Sequence, residues 1–194
     1  MVCGDQVEVR RAGDGGVIER VLPRTTLLYR SDAFRSKAIA ANASQVAVVV
    51  AARPSFSPEL VQRCLLAAED QGMASLIVLN KADLPETATA RAPLEPLAHI
   101  GYRVVTLSAE SDATPLLPHL QGHTTLLIGQ SGMGKSTLVN ALCPDAAVAT
   151  GEYSEALDSG RHTTTHTRLH RLDPDTALID SPGLQEFALQ HLDD

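Results

Sequence analysis

The stretch GQSGMGKST, residues 129–137, decides how this chain is read. Gly129, Gly134, Lys135 and Ser136 satisfy the spacing G-x-x-x-x-G-K-[ST], and holding a polyphosphate needs those residue types. Glycines let the backbone wrap, so that N–H groups from Gly129, Gln130, Ser131, Gly132, Met133 and Gly134 and from the helix start at Lys135, Ser136 and Thr137 converge on phosphate oxygens. Lys135 is expected to reach the β- and γ-phosphates, and Ser136 to offer its hydroxyl to Mg²⁺. The bland alternative is a glycine-rich turn ahead of a helix. Here the apolar strand TTLLIGQ (124–130) precedes the loop and KSTLVNAL (135–142), stopped by Pro144, comes after it. That is the context the motif requires.

Upstream, NKAD at 80–83 ends the apolar run ASLIVLN (74–80). A carboxylate at Asp83 can accept from both N1–H and the exocyclic amine of guanine, an arrangement adenine does not offer. The wrong base would leave that carboxylate unpaired, which discriminates strongly. Asn80 and Lys81 would brace and cover the base, with Ala82 completing the turn. Alone the tetrapeptide is commonly just a turn; beside a phosphate loop it moves the choice from ATP to GTP. Ser108 and Ala109, ending YRVVTLSA (102–109), fit a supporting loop with an amide aimed at the base oxygen.

Downstream, DSPG (180–183) closes TALIDSPG (176–183). Asp180 would hold a Mg²⁺-bound water and Gly183 offer its N–H to the γ-phosphate. Between lies a long stretch, roughly 144–166, containing GRHTTTH (160–166). A loop of that length in a small domain tends to be functional or disordered. One threonine of 163–165 should complete the magnesium shell when GTP orders the loop; Thr164 and Thr165 are the leading candidates, and spacing does not choose between them. His162, His166 and His170 recur every four residues. A transition-metal reading is weak, because three β-branched threonines disfavour the helix that would align them, and no cysteine or carboxylate cluster completes a site.

The 194 residues suffice for one α/β domain and a small appendage. Apolar residues make up 44%, largely aliphatic, with no Trp. Cys3, Cys64 and Cys143 are widely separated, which argues against a disulfide framework or zinc knuckle and suits a reducing cytosol. No apolar run is long enough to span a bilayer and no signal-peptide pattern opens the chain, so a cytoplasmic protein without membrane contact is expected. The net charge of −7 is uneven: residues 1–40 hold seven basic against five acidic side chains, the rest nine against eighteen. An acidic body argues against a general attraction to nucleic-acid backbones and leaves room only for local contacts.

QVEVRR, the turn AGDGG (12–16) and VIERVL read as two short strands, the tail of a larger β-unit or a piece that must pack on the main body. From about Ala38 the texture alternates. QVAVVVAA (45–52) has the continuous apolar character of a strand covered on both faces. SPELVQRCLLAAEDQG (57–72) is a helix capped by Ser57, with Pro58 in its first turn and Gly72 beyond its end. TRLHRL (167–172) pairs with 176–183 around DPD. The expected fold is α/β, a mainly parallel six-stranded sheet with helices on both faces. Each chemically loaded tetrad falls at a strand's carboxyl end, where such sheets bind ligands.

The motif order is a circular permutation of the common GTPase order, and predicts the spatial sequence 3-2-1-4-6-5, with strands numbered from residue 45 onward. With NKADL, GQSGMGKSTLVNAL, GRHTTTHTRLH and LIDSPGLQEF, the chain closely resembles the small ribosomal subunit biogenesis GTPase family. The resemblance implies an N-terminal OB-fold, a permuted P-loop GTPase and a C-terminal zinc domain. It also implies GTP/GDP and Mg²⁺ as ligands, and a late role in maturation of the 30S subunit through contact with that subunit and its 16S rRNA, the subunit stimulating turnover. On this basis residues 1–36 are a β-rich remnant of the OB-fold and 37–194 the GTPase domain, in a chain expected to be monomeric. No zinc ligands carry over, since the chain stops at Asp194 ahead of any such site.

Hydrolysis needs an oriented water. Many GTPases use a glutamine after the DxxG glycine, but here that position is Leu184. His162 is the candidate instead, in agreement with the resemblance; its alternative is a solvated loop histidine. Low intrinsic turnover is expected. Two rivals stand beside this reading: a GTP-sensing module without significant turnover, and a P-loop kinase, which would have no use for NKAD.

Overall fold

The computed structural model describes residues 1–31, 36–146 and 167–183. Its centre is a six-stranded sheet of β5 (Gln45–Ala51), β6 (Ala74–Asn80), β7 (Arg103–Thr106), β8 (Thr124–Ile128), β9 (Arg168–Arg171) and β10 (Ala177–Asp180). Ahead of these in the chain come β1 (Val7–Ala12), β2 (Gly15–Val21), β3 (Leu27–Ser31) and β4 (Ser36–Ala41). The order across the large sheet is β7-β6-β5-β8-β10-β9, the permuted order read from the motifs. All neighbours are parallel except β9, which pairs antiparallel with β10 at the rim.

The unbroken apolar runs are buried on both faces, which explains their lack of alternation. Helix α1 (Pro58–Asp70) covers one face: its Leu60, Val61, Cys64, Leu65 and Ala68 lie in a core with Val46, Val48 and Val50 of β5. The Ser57 hydroxyl accepts from the Leu60 N–H at 3.3 Å, Pro58 opens the first turn, and Gly72 takes φ +64° just past the end. Short helices α2 (Thr87–Arg91), α3 (Glu95–His99) and α4 (Leu117–Leu120) fill the crossovers. On the other face, α5 (Lys135–Leu142) sets Leu138 and Val139 against Ala47, Val49, Leu127 and Leu178. Among the described residues no helix is long and apolar enough to cross a membrane.

The β1–β2 hairpin stands apart as its own two-stranded sheet. Cross-strand pairs Val7–Val21 and Val9–Ile18 share one face, while Arg20–Glu8 and Arg10–Glu19 ion pairs occupy the other. Two strands are marginal alone, and the base of this ribbon is tied down. Arg24 grips Asp5 through two hydrogen bonds of 2.7 and 2.9 Å and holds its carboxyl down to about 2. Asn42 donates to the Gly4 carbonyl and accepts from the Thr25 N–H. The β3–β4 hairpin is not anticipated by the sequence pattern. It spans the 36/37 division and sends Leu28, Ile39 and Ala40 into the α1-side core.

Candidate nucleotide-binding site

The site lies where β5, β6, β8 and β10 end. After β8, Gly129 takes φ +152°, and a Cβ there would sit 2.2 Å from the Val49 carbonyl oxygen. Gly134, at φ +91°, is the residue before α5; a Cβ would meet Asn80 Nδ2 at 2.2 Å. Both close approaches require glycine. Met133 is fully buried between them and anchors the loop, so residues 129–134 curl over the start of α5, whose first N–H groups have no side-chain cap.

Lys135 is only 7% exposed, and its Nζ donates to the carbonyls of Gly129 (2.9 Å) and Gln130 (3.0 Å). Burial pushes its ammonium down to about 8, with Asp180 opposing part of that shift. Ser136 Oγ donates to Asp180 Oδ2 at 3.4 Å. Asp180 is 1% exposed, and burial raises its pKa against the pull of Lys135. Its other oxygen, Oδ1, is buried without a partner. A hydroxyl beside a carboxylate with spare acceptor capacity is the hard-oxygen set that suits Mg²⁺, so the residues present fit that ion.

At the other end, Asn80, 1% exposed at the tip of β6, donates from Nδ2 to the Met133 carbonyl and accepts at Oδ1 from the Ala109 N–H, each at 2.9 Å. One amide thus joins the phosphate loop, the NKAD turn and the loop after β7. Lys81 adopts φ +58°, and its Nζ reaches the Arg53 carbonyl at 2.9 Å. Ala82 closes the turn by donating to the Leu107 carbonyl. The Ser108 hydroxyl donates to Asp83 Oδ1 at 2.5 Å and is the main reason the Asp83 pKa is lowered.

Gly183 lies just past β10 and packs on the phosphate loop: a Cβ there would lie 2.9 Å from both Cα and N of Ser131. Backbone cannot yield cheaply, so Gly183→Ala should displace the loop at about 1–3 kcal/mol. Calorimetry with a non-hydrolysable GTP analogue should then read a ten- to hundredfold loss of affinity. Unchanged affinity would show that the contact relaxes freely.

A family model described as RsgA GTPase matches residues 21–190. The chain belongs to the RsgA GTPase family. Its curated relatives include the small ribosomal subunit biogenesis GTPases RsgA of Nitrosospira multiformis, 56% identical over 98% of this chain and 61% of that protein, and of Nitrosomonas europaea, 55% identical over the whole chain and 63% of that protein. This RsgA-family chain therefore spans somewhat under two thirds of their length. Among solved structures it is similar to YjeQ from Thermotoga maritima, with TM-score 0.67 and 29% identity over 94% of this chain and 61% of that one. It is also similar to YloQ, described as a circularly permuted GTPase, with TM-score 0.63 and 29% identity over 96% of this chain and 58% of that one.

Of the residues singled out from sequence, the structure brings together those at 80–83, 108–109, 129–137, 180 and 183. His162, Thr164 and Thr165 lie outside the described residues, as do His166 and Leu184. Among the described residues no group of three His, Cys, Asp or Glu side chains could hold a metal. Two braces in this RsgA-family site have no signal in the sequence. Gln130 Oε1 accepts from the Ser57 N–H at 2.9 Å, and the Lys81–Arg53 bond is seconded by an Arg53–Glu86 ion pair. Their partners are distant in the chain, and an amide or carbonyl acceptor leaves no motif.

Proposed function

We propose that this chain binds GTP with Mg²⁺ at the ends of β5, β6, β8 and β10 and hydrolyses it, as the GTPase unit of a small ribosomal subunit biogenesis protein. The observation that carries the reading is the Asn80 bridge. It ties Met133, in the loop suited to phosphates, to Ala109, in the loop that carries the Ser108–Asp83 pair suited to guanine. Reading base and phosphates at once requires that the two loops be fixed relative to each other, and this side chain does so from a fully buried position.

In this reading Asp83 accepts from guanine, Asn80 and Ser108 hold the pocket rigid, and Lys81 covers the base. Lys135 exchanges its two backbone carbonyls for β- and γ-phosphate oxygens and stabilises the charge that develops as the terminal phosphoryl departs. Gly183 supplies an N–H on the γ side. Ser136, Asp180 and one of Thr164 and Thr165 would hold Mg²⁺, which when bound neutralises charge between the β- and γ-phosphates. His162 orients the attacking water.

The family name supports contact with the 30S subunit and thus a cytoplasmic setting, and the resemblance supports 16S rRNA as part of that partner, with the subunit stimulating a slow intrinsic rate. We further propose the division into 1–36, a β-rich OB-fold remnant, and 37–194, the GTPase unit. The separate β1–β2 sheet supports it, with β3–β4 acting as the joint.

Phosphate release measured with and without 30S subunits tests the activity. His162→Ala should lower the stimulated rate by about a hundredfold or more, as expected for loss of a positioned acid–base group, while GTP affinity stays the same. A stimulated rate that survives the substitution removes His162 from the mechanism.

A further inference from the structure

Two side-chain polar atoms among the described residues are buried without a hydrogen-bond partner, His170 Nε2 and Asp180 Oδ1. They come from adjacent strands. In the β9–β10 ladder Leu178 faces His170 and Asp180 faces Arg168. Side chains alternate along a strand, so His170 and Asp180 point to the same face, one diagonal step apart. Diagonal neighbours in an antiparallel pair are within reach of long and aromatic side chains. The face is the one α5 covers, because Leu178 packs there with Leu138 and Val139. His170 is near enough to act on the Asp180 carboxyl, pulling its pKa down. His170 has no part in the nucleotide chemistry assigned to the other residues of the site.

Each orphan lacks what the other supplies. A neutral imidazole carries one N–H donor, and a carboxylate oxygen is an acceptor. A buried polar group left unmatched is costly, and native structures rarely keep two side by side without a use. Asp180 has already committed Oδ2 to Ser136. The Ser181 backbone N–H also reaches this carboxylate, and a further donor on Oδ1 would fix the plane in which it presents its acceptors to a metal-bound water.

We propose that His170 is a positioning residue for the magnesium end of the site: its Nε2–H donates to Asp180 Oδ1, directly or through one bound water, and fixes the carboxylate so that Oδ2 stays turned to Ser136. This rests on the reading of Asp180 as a holder of Mg²⁺. It assigns the ring the Nε2–H tautomer. Partners of this kind around metal ligands commonly set affinity by ten- to hundredfold.

The test is the Mg²⁺ dependence of binding of a non-hydrolysable GTP analogue to wild type, His170→Ala, His170→Gln and His170→Asn, with parallel titrations in chelator. His170→Ala should need about tenfold more Mg²⁺ for half-maximal tightening, with chelator affinity unchanged. His170→Gln, whose amide nitrogen reaches the Nε2 position, should recover the wild-type response, and the shorter His170→Asn should not. A wild-type response in His170→Ala, or an equal loss with and without Mg²⁺, overturns the inference while leaving Asp180 in place. A wild-type protein indifferent to Mg²⁺ overturns the assignment of Asp180 and this proposal with it. If His170→Ala does not fold, the Gln and Asn variants decide: restoration by Gln alone supports the proposal, equal behaviour overturns it.

Discussion

Lys135→Met should destroy tight GTP binding and at the same time make the unliganded protein more stable. Both effects come from one buried ammonium. Its pKa falls from 10.5 to about 8 because burial penalises the charge, a shift worth about 3 kcal/mol at about 1.4 kcal/mol per unit. Methionine removes that penalty and fills similar space. It also leaves the Gly129 and Gln130 carbonyls without a donor, which returns about 1 kcal/mol each. The net gain is therefore about 1–2 kcal/mol, a rise of several degrees in melting temperature for a chain of this size. Against this, charge-assisted bonds to two phosphates are lost at about 1.5–3 kcal/mol each, so affinity for GTP should fall by about a hundred- to a thousandfold. Melting curves and calorimetry on the same samples check both halves. A less stable variant would mean that the Nζ bonds outweigh the desolvation.

The same group gives a pH signature. The folded, unliganded protein sheds the Lys135 proton near 8 and the unfolded chain near 10.5. Between those values the unfolded state binds more protons, so stability rises with pH across that window. The penalty is fully present below 8. Affinity for GTP moves the other way, since the phosphates need the ammonium charged and binding above 8 must take up a proton. Lys135→Met should flatten the Lys135 contribution to both trends.

Asp83→Asn should lower GTP affinity by about a hundred- to a thousandfold while improving binding of xanthosine triphosphate. The carboxylate can accept from two guanine donors at once, and bonds to a charged acceptor are worth about 1.5–3 kcal/mol each. An asparagine has one acceptor and one donor. Its NH₂ would confront the exocyclic amine of guanine but match the carbonyl that xanthine carries at that position. The Ser108 hydroxyl, 2.5 Å from Asp83 Oδ1, can accept as well as donate, so the pocket has a way to keep the new side chain in place. Competition binding with GTP, xanthosine triphosphate and ATP measures the change. If ATP competes with GTP in the wild type, or xanthosine triphosphate does not gain in the variant, Asp83 is not reading the base.

The strand order and the gathering of the three motif loops are legible because each depends on local chemistry. Gly129 and Gly134 mark backbone that no side chain could share, and the uninterrupted valines of β5 mark a strand with no wet face. The β3–β4 hairpin is not legible. SKAIAA is alanine-rich, with no alternation to announce a strand, and its place is decided by the core that Ile39 and Ala40 enter. The short helices α2 and α3 escape sequence reading because neither has an N-cap side-chain bond, and each is too short for a periodic face. Gln130 reads as a loop amide, yet its side chain acts on Ser57, far away in the chain. His170 reads as one of three spaced histidines, and only strand pairing puts it beside Asp180.

The position of β8 between β5 and β10 has a consequence for how the chain emerges from a translating ribosome. Of the six strands of the large sheet, β5, β6 and β7 come out first and can zip together with α1. The inner border of that half-sheet then waits, hydrogen-bonding groups bare, until Thr124 and the rest of β8 clear the exit tunnel. Bare strand borders invite mispairing. A nascent polypeptide that folds strand by strand would thus pass through a stage in which β5–β7 are assembled and the border of β5 is the seam that β8 closes.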